Sequence, residues 1–258
     1  MFNEELNKVS LAAKSKFQLL KENKIGYFIS SMLAGIYVGL GIMLIFTIGG
    51  LLTSASSPAT KIVMGLSFGV ALSLVVFAGS ELFTGNNFVM AVGSLNKSVT
   101  WGEAGKVWIV SFIGNLVGSI LAATLFYMAG LATGPVGEFI AKTSEAKMSM
   151  PATELFFRGI LCNMLVCLAV WCTFRCKEES SKLIMIFWCL FVFITAGFEH
   201  SVANMTLLTI GLLSPLGHAV SVSGYAYNIL IVSLGNMVGG ILFIAVPYFI
   251  ISRKKKVG

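Results

Sequence analysis

The chain has 258 residues, of which 57% are apolar and only 11% are charged, and its mean hydropathy is +0.89. Because a soluble domain carries about 25% charged residues, this composition excludes an ordinary water-soluble fold and indicates a protein that spans a membrane. The net charge of +7 would suit a nucleic-acid-binding protein, but the basic residues lie between long apolar runs, so we expect no nucleic-acid partner.

The first 24 residues contain five lysines and lack an apolar core long enough for a secretory signal peptide. Residues 4–21 place apolar side chains on one helical face and basic side chains on the other. The pattern predicts an amphipathic helix within residues 1–24, on the cytoplasmic surface of the membrane. A solvated tail is the alternative. The two sets are Leu6, Val9, Ala13, Phe17 and Leu20, against Lys8, Lys14, Lys16 and Lys21.

Six segments are long and apolar enough to cross a bilayer, which takes about 20 residues of helix. They cover about residues 26–52, 60–95, 104–132, 153–174, 183–213 and 225–251. The second is interrupted by polar residues and glycine at 81–87, and the fifth at 197–201. Since both interruptions fall near the middle of a span, we predict that these two helices are broken.

The basic residues are distributed unevenly between the two sides of the predicted membrane. Fourteen of the eighteen Lys and Arg residues lie on the side that holds both termini. The positive-inside rule therefore predicts cytoplasmic termini in a multi-pass protein of the cell inner (plasma) membrane, with residues 252–258 as a basic cytoplasmic tail. The four basic residues on the other side are Lys61, Lys142, Lys147 and Arg158.

The chain repeats itself internally. Residues 114–120 (GNLVGSI) match residues 235–241 (GNMVGGI), and Glu81 has a counterpart at Glu199, each followed five residues later by an asparagine. Two halves of three spans each must run in opposite directions. We therefore predict an all-α polytopic protein with inverted repeats at 25–132 and 152–251, joined by an external segment at 133–151. Because irregular backbone cannot face lipid, the two breaks are expected to border a solute path.

Four motifs in this order resemble the formate/nitrite transporter family. They are ELFTG at 81–85, GILCN at 159–163, AGFEHSVANM at 196–205 and GNMVGG at 235–240. Within the family, TGNN at 84–87 is most similar to the hydrosulfide ion channel branch. The resemblance implies an aquaporin-like protomer in a homopentamer, with one pore per protomer and two apolar constrictions around a central histidine. The Asn-Pro-Ala signatures of aquaporins are absent from the sequence, which disfavours water or glycerol as the solute.

The same resemblance assigns roles to individual residues. It implies a polar pore centre of Thr84 and His200 with Asn163 and Asn236 nearby, and a vestibule lysine, Lys147, whose alternative role is that of a solvated loop lysine. The implied constriction residues are Phe68, Leu72, Leu82, Phe83, Val166 and Phe193.

The polar residues at the predicted breaks also allow direct chemical expectations. His200 could supply a proton or a positive field to an arriving anion, or could be a hydrogen-bonded packing residue. Thr84 could donate to the solute or to His200, or cap the following half-helix. Carboxylates on an anion path would repel the solute, so Glu81 and Glu199 are predicted to be structural, tying loop N–H groups to neighbouring helices. Asn163 and Asn236 are expected either to do similar work or to line the path.

The sequence thus predicts a channel that contacts membrane lipid and conducts small monovalent anions. Hydrosulfide is the first candidate substrate. A formate or nitrite channel, or a proton-coupled transporter of the same family, is the alternative. An intramembrane enzyme is disfavoured, because HExxH and other catalytic signatures are absent. We expect no cofactor and no metal, and the five cysteines, which form no CxxC pair, are expected to pack in the core. A structural or receptor-like bundle would leave both breaks unexplained.

Overall fold

The structure is a computed structural model that describes residues 2–252, and every regular element within this range is helical. The predicted basic tail therefore lies outside the described residues except for Ser252. In the first half the helices are α1 Asn3–Glu22, α2 Lys24–Ser54, α3 Thr60–Ser67, α4 Gly69–Leu74, α5 Phe83–Leu95 and α6 Trp101–Met128. A π-helical turn at Val75–Gly79 extends α4, so that α3 and α4 form one membrane segment, Thr60–Gly79.

A further helix, α7 Gly134–Met148, lies between the two halves. It occupies the segment for which the sequence predicted only a connection. The second half contains α8 Ala152–Arg175, α9 Glu179–Ala196, α10 Ser201–Leu213, α11 Val222–Gly240 and α12 Val246–Ser252. A π-helical turn at Ile241–Ala245 joins α11 to α12, and the two form one segment of 31 residues.

The predicted six spans and the two broken helices are confirmed, because six helical segments are long and apolar enough to cross a membrane. Each break in the helical conformation is shorter than the interrupted stretch that the sequence showed. Only residues 80–82 and 197–200 leave the helical conformation, whereas residues 84–87 form the first turn of α5. Short polar residues fit that turn, where the first N–H groups have no partner within the helix.

Two glycines end the helices before the breaks. Gly79 has φ +79° and Gly197 has φ +77°, in the left-handed region that a glycine adopts at low cost. They are 118 residues apart, the same separation as Glu81 and Glu199. The inverted repeat therefore extends to the backbone turn that interrupts each span.

Each half contains a close helix crossing, and the two crossings are at matching glycines. In α6, a Cβ at Gly118 would lie 2.0 Å from the carbonyl oxygen of Met32 in α2. In α11, a Cβ at Gly239 would lie 2.3 Å from the carbonyl oxygen of Ile160 in α8. Since no side chain fits at these distances, the Gly-x-x-x-Gly pattern has the close-packing role expected of it in membranes.

The N-terminal helix α1 packs on the protein through its apolar face. Leu6, Val9, Ala13 and Leu20 are buried in a cluster that includes Phe88 of α5. This contact places α1 beside the half-helix that begins at the first break.

Candidate functional site

The half-helices α5 and α10 both begin at the centre of the molecule, and an asparagine holds each start in place. On the first side, the Asn115 side-chain oxygen accepts from the backbone N–H of Phe83 at 2.9 Å. Its amide nitrogen donates to the carbonyl oxygens of Ser31 (2.7 Å) and Glu81 (2.9 Å). A single buried side chain thus satisfies the irregular backbone of the break, which lipid could not do.

Asn236 does the same on the second side. Its side-chain oxygen accepts from the N–H of Ser201 at 3.0 Å, and its amide nitrogen donates to the carbonyl oxygens of Gly159 and Glu199 at 2.8 and 2.9 Å. Asn236 was expected near the polar pore centre. Its bonds fasten backbone, which is one of the two roles expected for it. Asn115, its partner in the repeat, was missed although the matching GN motifs contained the signal.

Asn163 links the half-helix α5 to α11, the helix that carries Asn236. It is fully buried, and its amide nitrogen bonds the Asn236 carbonyl at 2.7 Å, the Asn87 side chain at 3.1 Å and the Thr84 carbonyl at 3.3 Å. These contacts make Asn163 a support for the site's backbone rather than a group presented to a solute.

His200 and Thr84 meet at the centre, 116 residues apart in sequence. The His200 Nε2 lies 3.0 Å from the Thr84 Oγ1, and both residues are buried. The backbone N–H of Ala203 donates to His200 Nδ1 at 3.1 Å, so the histidine caps α10. Because an N–H can only donate, Nδ1 must be the acceptor, and the neutral ring carries its proton on Nε2.

This arrangement fixes the direction of the hydrogen bonds. Nε2–H donates to the Thr84 oxygen, which leaves the threonine's own hydroxyl proton for a second acceptor such as an anion. Charging the ring would place an N–H against the Ala203 N–H and break the helix cap. The geometry therefore favours a neutral histidine that polarises Thr84 over the positive field that the sequence suggested, and Thr84 contacts His200 rather than capping α5.

A small apolar cavity lies against the His200 side of this pair. Its volume is about 10 Å³, enough for about one water molecule. Five of the six predicted constriction residues line it together with His200: Phe68, Leu72, Leu82, Val166 and Phe193. The sixth, Phe83, instead packs edge-on against Phe112 of α6, with ring centroids 5.2 Å apart.

A wider cavity opens on each side of the central one. The Lys147 cavity, of about 260 Å³, shares Phe193 and His200 with the central cavity. The Lys16 cavity, of about 350 Å³, shares Leu72 and Leu82 with it. The three cavities therefore lie in sequence, separated by apolar side chains at each end of the central one.

Each wide cavity contains a lysine paired with a glutamate at the break. On the first side, Lys16 of α1 bonds both Glu81 oxygens at 2.8 Å, and Tyr27 and Asn86 donate to Glu81 at 3.0 Å. The sequence had assigned Lys16 to the basic face of an amphipathic helix. It reaches inward because a nearly buried carboxylate needs a cation or several donors.

On the second side, Lys147 of α7 pairs with Glu199, which also accepts from Asn204 at 2.6 Å. Asn228 accepts from Asn204 at 2.9 Å and donates to the Lys147 carbonyl oxygen at 2.9 Å. The prediction that Glu81 and Glu199 tie loop N–H groups was wrong in its detail. Their carboxylates hold lysines and asparagines, while asparagines bind the backbone.

The chemistry available at this centre is hydrogen-bond donation in an apolar setting. Within residues 2–252 no cluster of three or more His, Cys, Asp or Glu side chains is arranged to hold a metal ion. The N-terminal ends of α5 and α10 both point at the centre, where their dipoles favour negative charge. The arrangement suits a small solute that accepts hydrogen bonds.

Comparisons with known proteins agree with this geometry. A model of the family described as formate/nitrite transporter matches residues 3–250. The nitrite transporter NirC of Salmonella typhimurium is 41% identical over 257 residues, which cover 99% of this chain and 94% of that protein. A solved structure titled FNT family ion channel is 39% identical with a TM-score of 0.92, covering 98% of this chain and all of that one. Another, a pentameric formate channel with formate bound, is 27% identical with a TM-score of 0.76, covering 89% and 97%.

Proposed function

The chain belongs to the formate/nitrite transporter family, and from this premise we propose that it conducts small monovalent anions through its own protomer, with nitrite first and formate second. The family consists of membrane transporters and channels, not enzymes. One observation carries the proposal: His200, which is hydrogen-bonded to Thr84, lines an apolar cavity that lies between two wider cavities.

Nitrite takes the place of hydrosulfide as the first candidate. The support for hydrosulfide is the resemblance of residues 84–87 alone, whereas relatives alike along nearly the whole chain are named for nitrite. Formate is supported by the pentameric formate channel, which is less similar. Both anions offer oxygen acceptors to a hydroxyl donor.

The proposed path has three steps. An anion enters the Lys147 cavity, passes Phe193, and accepts a hydrogen bond from Thr84, whose oxygen is in turn bonded to His200 Nε2–H. It leaves past Leu82 into the Lys16 cavity. An apolar passage of this size makes a bare charge costly. Donors at its centre lower that cost.

The assembly and orientation belong to the same proposal. We infer a homopentamer in the inner (plasma) membrane, supported by the pentameric relative. Both termini are assigned to the cytoplasm, supported by the fourteen Lys and Arg residues on that side. The Lys16 cavity then faces the cytoplasm and the Lys147 cavity faces outward, with α7 as part of the external segment 133–151.

The test is flux through the purified protein in liposomes, with nitrite, formate and hydrosulfide compared at equal gradients. We expect nitrite and formate to cross much faster than in protein-free vesicles, with nitrite the faster of the two. A higher rate for hydrosulfide would restore the original order of substrates. If all three rates equal those of empty vesicles, the proposed function is wrong.

A further inference from the structure

The charged side chains that line the two wide cavities sum to different net charges. The Lys16 charge is offset by Glu81, with Nζ 2.8 Å from both carboxylate oxygens. Lys147 is offset by Glu199, whose side chain is only 3% exposed. Each lysine therefore belongs to a neutral pair at the inner end of its cavity, and neither pair supplies a net charge.

The Lys147 cavity has a second lysine, and the Lys16 cavity has no counterpart to it among the described lining residues. Lys61 lies in the first turn of α3, is exposed, and lines the cavity that Lys147 and His200 also line. Within residues 2–252, no carboxylate lies within ion-pairing distance of its ammonium group. The lining of the Lys147 cavity thus carries a net charge of +1, whereas Lys16 and Glu81 leave the other cavity neutral.

We propose that Lys61 is the residue that concentrates anions at the Lys147 mouth, so that this mouth saturates at a lower anion concentration than the Lys16 mouth. The inference rests on the proposed function, since it concerns the same path. It transfers the attracting role that the sequence gave to Lys147 to an unpaired lysine at the entrance. Lys147 keeps the task of holding Glu199.

The size of the effect follows from one unpaired charge in water. At about 7 Å, a unit charge in bulk water changes the local concentration of an opposite ion about two- to threefold at low ionic strength. At about 1 M salt the screening length falls to about 3 Å, and the effect disappears. Reversing the charge doubles the change in interaction energy, which squares the factor to about four- to ninefold.

The experiment measures the nitrite concentration that gives half-maximal flux, with the protein in oriented liposomes and nitrite supplied at the Lys61 face. At about 10 mM ionic strength we expect Lys61→Gln to raise this concentration about two- to threefold and Lys61→Glu about four- to ninefold. An impermeant salt at about 1 M should abolish both differences. Lys61→Arg should behave as wild type, because it keeps the charge.

Two controls separate this inference from the proposed function. Lys142→Gln removes a lysine of α7 that does not line the cavity, and should leave half-saturation at its wild-type value. Nitrite supplied at the opposite face should show little dependence on Lys61. The inference alone is overturned if the wild type conducts nitrite and both Lys61→Gln and Lys61→Glu reach half-maximal flux at the wild-type nitrite concentration. A wild-type protein that conducts none of the three anions would overturn both.

Discussion

At the residue scale, the main consequence of the structure is that neither ring nitrogen of His200 is free to accept a hydrogen bond from the solute. Its Nδ1 receives the Ala203 N–H and its Nε2–H points at Thr84. In the proposed path, His200 acts through Thr84, whose hydroxyl donates to the solute. The hydroxyl of one threonine is therefore expected to matter as much to flux as the imidazole does.

Replacing Thr84 tests this directly. Thr84→Val keeps the shape but removes the hydroxyl, and a lost hydrogen bond to a charged group costs about 1.5–3 kcal/mol. We expect nitrite flux to fall at least about tenfold, with the protein still folded. Thr84→Ser restores the hydroxyl and should retain most of the flux. Equal rates for Thr84→Val and wild type would show that the hydroxyl does not contact the solute.

A second residue-scale prediction concerns pH and the loop before α11. His218 bonds Glu145 at 2.7 Å through Nδ1 and Glu138 at 2.9 Å through Nε2. Two donating nitrogens require the charged ring. The bond to Glu145, followed by that to Glu138, raises the pKa of His218 above its ordinary value, and the His218 bond lowers the pKa of Glu145.

The sign of the effect follows from these directions. The histidine's contribution to stability is complete below about pH 6.5, its ordinary pKa, and is lost as the pH rises through the raised pKa. The contribution of Glu145 is present above about pH 4.3 and is lost as the pH falls through its lowered pKa. We expect the melting temperature of wild type to exceed that of His218→Gln most at about pH 5–6. The difference should shrink toward pH 9, and a constant difference from pH 5 to 9 would contradict the charged clamp.

At the scale of elements, α1 is tied into the fold by one ion pair at a break. Lys16 and Glu81 are 65 residues apart and only 21% and 11% exposed. Removing one member of such a pair leaves an uncompensated charge, which costs more than removing both. The apolar face of α1 and this ion pair together determine whether the helix stays docked.

Hydrogen exchange measures that docking. Lys16→Gln should speed amide exchange across Asn3–Glu22 by roughly tenfold or more, since about 2 kcal/mol is expected from the unpaired carboxylate. Adding Glu81→Gln should reverse much of the change. Lys8→Gln removes an exposed pair with Glu4 on the same helix and should have little effect. If Lys8→Gln and Lys16→Gln speed exchange equally, the ion pair does not secure α1.

At the scale of the whole molecule, the inverted repeat explains why the two ends of the path are built alike. Each half supplies a glycine turn, a paired glutamate and a backbone-holding asparagine, and the halves meet where α5 and α10 begin. The halves differ at the centre, where Leu82 in one half corresponds to His200 in the other. His200 and Leu82 both line the small central cavity, and the other residues that line it are apolar.

The orientation of this repeat is testable by cysteine labelling. In a background without the five natural cysteines, Ala55→Cys lies between α2 and α3 and Ser180→Cys lies near the start of α9. We expect an impermeant maleimide added to intact cells to label only the first, because the loops are on opposite sides. Both should react after detergent solubilisation, as a control. Labelling of position 180 alone would invert the proposed orientation.

The sequence by itself determined the parts of the protein that depend on local composition and on periodicity. Six apolar runs of spanning length, two polar interruptions and a repeat with an offset of about 120 residues were enough to predict the six spans, the two broken helices and the inverted repeat. Each of these signals lies within one continuous stretch of chain or in a comparison of two stretches. The motifs that resemble the family are also continuous stretches of chain, and they identified His200 and Thr84 as candidate site residues.

Only the tertiary structure decided which side chains meet. Lys16 with Glu81, Asn115 with the first break, and Lys61 in the Lys147 cavity all join residues far apart in sequence. Helical periodicity fixes the face of a residue but not its distance from another helix, so a lysine on a basic face reads as solvated until its buried partner is placed. Tertiary packing also decided that the asparagines bind backbone groups and that the glutamates pair with lysines. These roles depend on which donors and acceptors remain unsatisfied once the helices are packed.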